Sequence, residues 1–179
     1  MSLLARGLLL ALVILGADQA SKWWVLHVAD LPTVRNVPLL AAGPFGLDLT
    51  MVWNRGVTFG LLSGSEPWHA WALAGLAAAI ALFLLRWLAR AENGRTALAL
   101  GAIVGGAVGN VIDRVRFGAV VDFVDARAWD LHWYVFNVAD AAIVLGVATL
   151  LLEALFPARS RARMRTAADP AAPRLPDPP

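Results

Sequence analysis

Four long apolar stretches alternate with polar ones along this chain. The first runs from about Gly7 to Leu26, but only Leu8 to Ala17 is purely apolar, shorter than the ~20 residues a helix needs to cross a bilayer. That core resembles a signal peptide, with Gly16-Ala17 as the small pair before a cleavage site. The helical pattern nevertheless continues through Asp18-Gln19-Ala20-Ser21-Lys22 into Trp23-Trp24-Val25-Leu26, which predicts a span and not a cleaved leader. Asp18 and Lys22 stand at i and i+4, where each lowers the other's cost, and the tryptophans fall at the far interface, where indole rings collect.

Residues 27–67 are broken by Pro32, Pro38, Gly43-Pro44, Gly46, Gly64 and Pro67, so they predict no span. Within them Leu47 to Trp53 alternates with a period near two and ends at Asn54-Arg55-Gly56, a strand running into a turn. Phe59-Gly60-Leu61-Leu62 reads either as a second strand or as a short interfacial segment. Trp68–Trp87 is the second span, Thr96–Ile112 the third and Tyr134–Phe156 the fourth, with a polar segment over 113–133. The domain is expected to cover 1–157. After it, 158–179 holds Arg159, Arg161, Arg163 and Arg165, then a Pro-rich end, a composition expected to be disordered.

The third span carries a flat strip. Gly101, Gly105 and Gly109 are four apart, with Gly106 beside them, and small residues at this spacing let a neighbouring backbone come close in lipid. The same helix ends in Asn110, Asp113 and Arg114, which share a face. Phe117-Gly118-Ala119-Val120-Val121-Asp122-Phe123 then places a carboxylate inside a short apolar run.

Composition supports the spans. The chain is 59% hydrophobic and 16% charged, against about 25% charged for a soluble domain. A pI near 9.9 raises nucleic acid as a partner, but the arginines flank hydrophobic spans and form no basic stripe, so none is expected. The chain has no cysteine, which excludes disulfides, thiolate metal sites and a Cys nucleophile. His27, His69 and His132 are scattered, so no zinc site is expected. Arg6, the loop bearing Arg86, Arg90 and Arg95, and the basic tail fall on one side. By the positive-inside rule that side is cytoplasmic, with both termini inside and both polar segments outside. All of the 8 tryptophans except Trp87 fall on the outer side.

Folded as a bundle, the spans gather their polar residues at the outer level: Asp18, Gln19 and Lys22; Asn54; Asn110, Asp113 and Arg114; Asp122; Asn137 and Asp140. Most have ordinary explanations. Asp18–Lys22 reads as a structural pair, Asp113 as paired with Arg114 and Arg116, and Asp125 and Asp130 as surface charges. Asn110 and Asn137 are evenly matched between interhelical glue and substrate binding. Asp122 and Asp140 have no cation at i±3 or i±4, and carboxylates at such depth mark function. Brought together, two carboxylates share a proton, so that one activates a water and the other polarises a carbonyl. A proton-coupled transporter using the same two residues as a relay is the alternative. It lacks the expected inverted repeat and any span broken at mid-depth.

Four segments taken together resemble a known family. They are Asp18-Gln19-Ala20-Ser21-Lys22, Asn54-Arg55-Gly56-Val57-Thr58-Phe59-Gly60, Gly105 to Arg114 running on to Asp122-Phe123, and Phe136-Asn137-Val138-Ala139-Asp140. In this order, between four spans, they resemble bacterial lipoprotein signal peptidase (signal peptidase II) over about Gly7 to Phe156. Thr58 stands where a smaller residue is common. The resemblance implies a mainly α membrane protein with four transmembrane helices, a small extracytoplasmic β-cradle and a short interfacial helix. It implies an aspartic endopeptidase of the bacterial inner membrane, needing no metal or cofactor and blocked by globomycin. Such an enzyme cuts prolipoproteins on the amino side of a diacylglyceryl-modified cysteine. By motif position Asp122 and Asp140 are the catalytic pair, and Asn54, Asn110, Arg114 and Asn137 bind substrate or position the pair. Asp18, Lys22, Gly56, Gly109 and Asp113 support the site. The expected partners are lipidated prolipoproteins and membrane lipids, and the expected state is a monomer.

Overall fold

In the computed structural model, residues 1–56, 67–129, 131–132 and 134–156 are described. Four helices among them are long and apolar enough to cross a membrane. The element order is α1 (Leu3–His27), α2 (Leu31–Val34), β1 (Asn36–Ala42), β2 (Phe45–Asn54), α3 (Pro67–Leu88), α4 (Gly94–Phe117), β3 (Val120–Ala128), β4 (Leu131–His132) and α5 (Val138–Leu155). Phe59–Leu62 lies outside the described residues, as do Asp130 and the tail.

Helix ends follow local chemistry. Ser2 caps α1 by accepting the Ala5 N–H at 3.1 Å, and Asn93 caps α4 by accepting that of Thr96 at 2.9 Å. Each supplies an acceptor to a first-turn donor that has none in the helix. Helix α4 continues past Ile112 to Phe117. It stops at Gly118, whose φ of 68° a glycine adopts without strain.

Helix α4 is the centre, packed against α1, α3 and α5. Its apolar window is 67% buried, against 17% for α1, 28% for α3 and 17% for α5. The outer helices turn residues such as Leu12, Leu82, Phe83 and Leu151 outward. That is the surface a bilayer would cover, and it inverts the helix pattern of a soluble protein. The glycine strip sets how near the neighbours come. A Cβ on Gly101 would strike the carbonyl of Gly7, and one on Gly105 would lie 2.5 Å from that of Ala11, both on α1. On the other side, a Cβ on Gly106 would lie 2.5 Å from the carbonyl oxygen of Ala139 on α5. The strip read from the sequence therefore serves two neighbours.

The antiparallel sheet has the order β1-β2-β3-β4. The strand expected over Leu47–Trp53 lies within β2, whereas β1 and β3 were not expected as strands. In β3 the charge of Asp122 interrupts the apolar run, and the segment is held extended by pairing with β2, with β4 and with the Phe136 bridge. A second core joins the sheet to the end of the bundle: Val25 of α1 and Leu31 of α2 pack with Leu49, Met51, Val121 and Phe123. This packing fixes β3, and with it Asp122, over the point where α1 and α4 end and α5 begins.

Candidate active site

Three asparagines orient two carboxylates. Asp122 lies in β3 and is 1% exposed. Asn54, at the end of β2, donates its Nδ2 to Asp122 Oδ2 at 2.9 Å. Asn137 donates its Nδ2 to Asp122 Oδ1 at 2.7 Å. Asp140 sits in the first turn of α5, where its Oδ1 accepts from Asn110 Nδ2 at 2.8 Å.

An amide can flip, so its orientation needs a cause. Each of the three has one, because its oxygen faces a group that can only donate. The Gly56 N–H reaches Asn54 Oδ1 at 3.2 Å. The Asp140 N–H reaches Asn137 Oδ1 at 2.9 Å. The Lys22 ammonium reaches Asn110 Oδ1 at 3.2 Å. Each NH2 group is thereby turned toward a carboxylate.

Asn137 is also the N-cap of α5. Its backbone N–H donates to Asp140 Oδ2 at 3.3 Å, which closes a capping box. The i, i+3 spacing of Asn137 and Asp140 is thus that of a helix start. Their aligned N–H groups favour negative charge at this point.

Burial pushes the Asp122 carboxyl up to about 6, because its charged form loses water that the protein does not fully replace. The negative charge of Asp140 adds to this, while the donors Asn54 and Asn137 and the charge of Lys22 act against it. Arg114 donates to the Asn110 carbonyl at 3.4 Å. Its guanidinium lies within electrostatic reach of Asp140, Asp122 and Asp113.

Beneath the pair, Lys22 forms ion pairs with Asp18 and Asp113, each at 2.8 Å. The expected Asp18–Lys22 pair is therefore present. The pairing expected for Asp113 is corrected in part: Arg114 stays within its electrostatic reach, but its ion-pair partner is Lys22, and Arg116 lies over the Phe117 ring at 4.9 Å. Sequence spacing along α4 could not show a cation that arrives from α1. Gln19, singled out only as a polar neighbour, bridges Asp18 Oδ2 and Asp113 Oδ1, each at 3.1 Å. Gly109 leaves room for this cluster, since a Cβ there would lie 2.5 Å from Asp18 Oδ2. Asp125 is also corrected: it is half-buried in the sheet and accepts from Thr50 at 3.1 Å, so it is not a plain surface charge.

Asn54, Asp122 and Asp140 form the polar floor of a cavity of about 540 Å³. Its walls include Tyr134, Phe136, Val144 and Leu145. Val144 and Leu145 are 65% and 67% exposed, so the cavity opens along the apolar outer face of α5. A larger groove of about 710 Å³, at the sheet end near Leu40, Phe45 and Leu131, contains no carboxylate. The smaller cavity holds both carboxylates. Tyr134 and the α5 wall were not singled out from the sequence, because an apolar residue beside a site looks the same there as one facing lipid.

Comparison with known proteins agrees with this architecture. The family model described as Signal peptidase (SPase) II matches residues 10–156. A lipoprotein signal peptidase of Methylobacterium sp. (strain 4-46) is 49% identical over 163 residues, covering 90% of this chain and 96% of that one. Another, from Methylorubrum extorquens (strain PA1), is 47% identical over 158 residues, covering 88% of this chain and 90% of that one. A structure titled as a bacterial membrane enzyme solved by the in meso method at 1.9 Å superposes with a TM-score of 0.70 at 25% identity, covering 86% of this chain and 94% of that one. A second so titled, at 2.3 Å, gives 0.68 at 23% identity, covering 96% and 95%, a likeness of fold. With four apolar helices, a match along nearly the whole membrane unit and relatives near half identity, this multi-pass bacterial membrane protein belongs to the signal peptidase II family.

Proposed function

We propose that the protein is an aspartic endopeptidase with Asp122 and Asp140 as its catalytic pair. Its substrates are prolipoproteins, cut on the amino side of a diacylglyceryl-modified cysteine. The observation that carries this reading is the shared cavity: two carboxylates on its floor, and a wall continuous with the apolar face of α5. A lipid-anchored cysteine keeps its acyl chains in the bilayer while the bond to be cut reaches the floor. Anchoring turns encounter into positioning, which can remove a large part of the barrier. The catalytic unit is residues 1–157, with the termini cytoplasmic and the sheet end extracytoplasmic.

In this reading Asp140 is the base. It sits at a helix start near Arg114 and withdraws a proton from the attacking water. Asp122, the buried member, supplies the proton that polarises the scissile carbonyl and afterwards reaches the leaving amine. The test is cleavage of a diacylglyceryl-modified prolipoprotein by the purified protein. The new N-terminus, read by mass spectrometry, is expected at the modified cysteine; cleavage elsewhere refutes the assignment.

Two further outcomes follow. The pair needs one proton, so kcat/KM falls on both sides of an optimum. Its alkaline limb is centred near the value to which burial raises Asp122, about 6. The limb belongs to the coupled pair, with Lys22 and Arg114 as the nearby cations. A profile flat from pH 4 to 9 in single-turnover experiments contradicts the shared proton. Arg114→Ala lowers kcat/KM by about 10- to 100-fold, since it removes a cation within electrostatic reach of both carboxylates. Full activity in that variant would show that Arg114 serves only the helix end.

A further inference from the structure

We propose that Lys22 is a positioning residue that fixes both halves of the catalytic pair from a single point; this rests on Asp122 and Asp140 being that pair. An ammonium has three N–H donors, and Lys22 has three acceptors: Asp18 Oδ2, Asp113 Oδ2 and Asn110 Oδ1. Lys22, Asp18 and Asp113 are 2%, 0% and 1% exposed, so water competes for none of these bonds.

What the two carboxylates do next links the triad to the chemistry. Asp18 Oδ1 accepts the backbone N–H of Ala139 at 3.0 Å, and Ala139 immediately precedes Asp140. Asp113 Oδ2 accepts the backbone N–H of Val121 at 3.1 Å, and Val121 immediately precedes Asp122. The third acceptor, Asn110, passes its NH2 to Asp140. One side chain on α1 therefore holds, through one intermediary each, the backbone leading into both carboxylates and a donor to one of them. These two backbone segments belong to different elements, β3 and the start of α5.

Stability alone is a poor reason for such a triad. Burying three charges is expensive, and replacing a whole buried ion cluster by uncharged groups is often neutral or stabilising. Placement gives the better account, because a shift of about 1 Å at reacting groups costs on the order of 100-fold in rate.

The test uses full-length protein in detergent, with diacylglyceryl-modified prolipoprotein as substrate, well below each variant's melting midpoint. The triple variant Asp18→Asn/Lys22→Met/Asp113→Asn removes all three charges and leaves a carboxamide oxygen for each backbone N–H. Its kcat is expected to fall about 100-fold with KM changed by less than about threefold. If it does not fold, Asp18→Asn alone replaces one atom, and about a tenfold fall in kcat at unchanged KM is expected. Wild-type kcat in the triple variant, or in Asp18→Asn where that one is used, overturns the positioning role, since a purely structural triad would leave turnover by folded protein unchanged. Asp122→Asn is run alongside. If it still cleaves, the catalytic pair itself is wrong and the proposal falls with it. If it is inactive while the Lys22-triad variants turn over normally, only the positioning role fails.

Discussion

Asp122→Asn is expected to abolish cleavage, by about 10⁴-fold or more, in a protein that still inserts and folds. The loss follows from the role: an amide can neither hold nor return the proton the reaction needs, and single catalytic-group deletions cost on this order. That the fold survives follows from opposing terms. The Asp122 carboxyl is raised from an ordinary 3.8 to about 6, so between those values the folded state binds more protons than the unfolded one. Stability therefore falls as pH rises through this window, and at neutral pH the buried charge opposes folding by up to about 3 kcal/mol, at roughly 1.4 kcal/mol per unit. Asparagine removes that cost. It also offers one oxygen where Asn54 and Asn137 address two, and a donor left without an acceptor costs about 1–3 kcal/mol. The terms nearly cancel, so the melting midpoint at pH 7 should stay within a few degrees of wild type. Asp140→Asn should be equally inactive. Measurable turnover by either folded variant contradicts the catalytic pair.

Gly101→Val is expected to prevent the bundle from assembling. Its Cβ meets the carbonyl and Cα of Gly7, which are backbone and cannot rotate aside. Overpacking a core costs about 1–3 kcal/mol when side chains yield; here a whole helix must move. Moving α1 would also draw Asp18 and Lys22 away from Asp113. The variant should aggregate or lose its cooperative melting transition in detergent. Gly16→Ala and Gly75→Ala are the controls, since nothing lies within 4 Å of either added Cβ. Both should melt at or slightly above the wild-type midpoint, as alanine favours helix over glycine. A normal melting curve for Gly101→Val would mean that α1 and α4 do not approach as described.

Physical reasons decide which parts of this protein could be read from its sequence. The four apolar helices and the glycine strip were legible because lipid imposes length, apolarity and small contact residues on them. Asp122 and Asp140 stood out because each is a charge in an apolar run without a local cation. What sequence spacing could not show was contact between distant elements. Asp113 seemed to belong to Arg114 and Arg116, its neighbours on α4, until the fold brought Lys22 across from α1. Strand β3 was hidden because Asp122 breaks its pattern, and Asp125 passed for a surface charge because nothing local reveals that Thr50 lies opposite. Asn137 was legible as a polar residue near a helix, but not as the cap whose amide serves Asp140 and Asp122 together.

The central claim joins a carboxylate pair to a lipidated substrate, and one comparison tests both halves. Purified protein is given a diacylglyceryl-modified prolipoprotein and its unlipidated twin, with Asp122→Asn protein and globomycin as parallel arms, and products are resolved by gel shift. The account predicts cleavage of the lipidated form alone, stopped by globomycin and absent with Asp122→Asn. Equal cleavage of both forms, or no cleavage of either by folded protein, would contradict it.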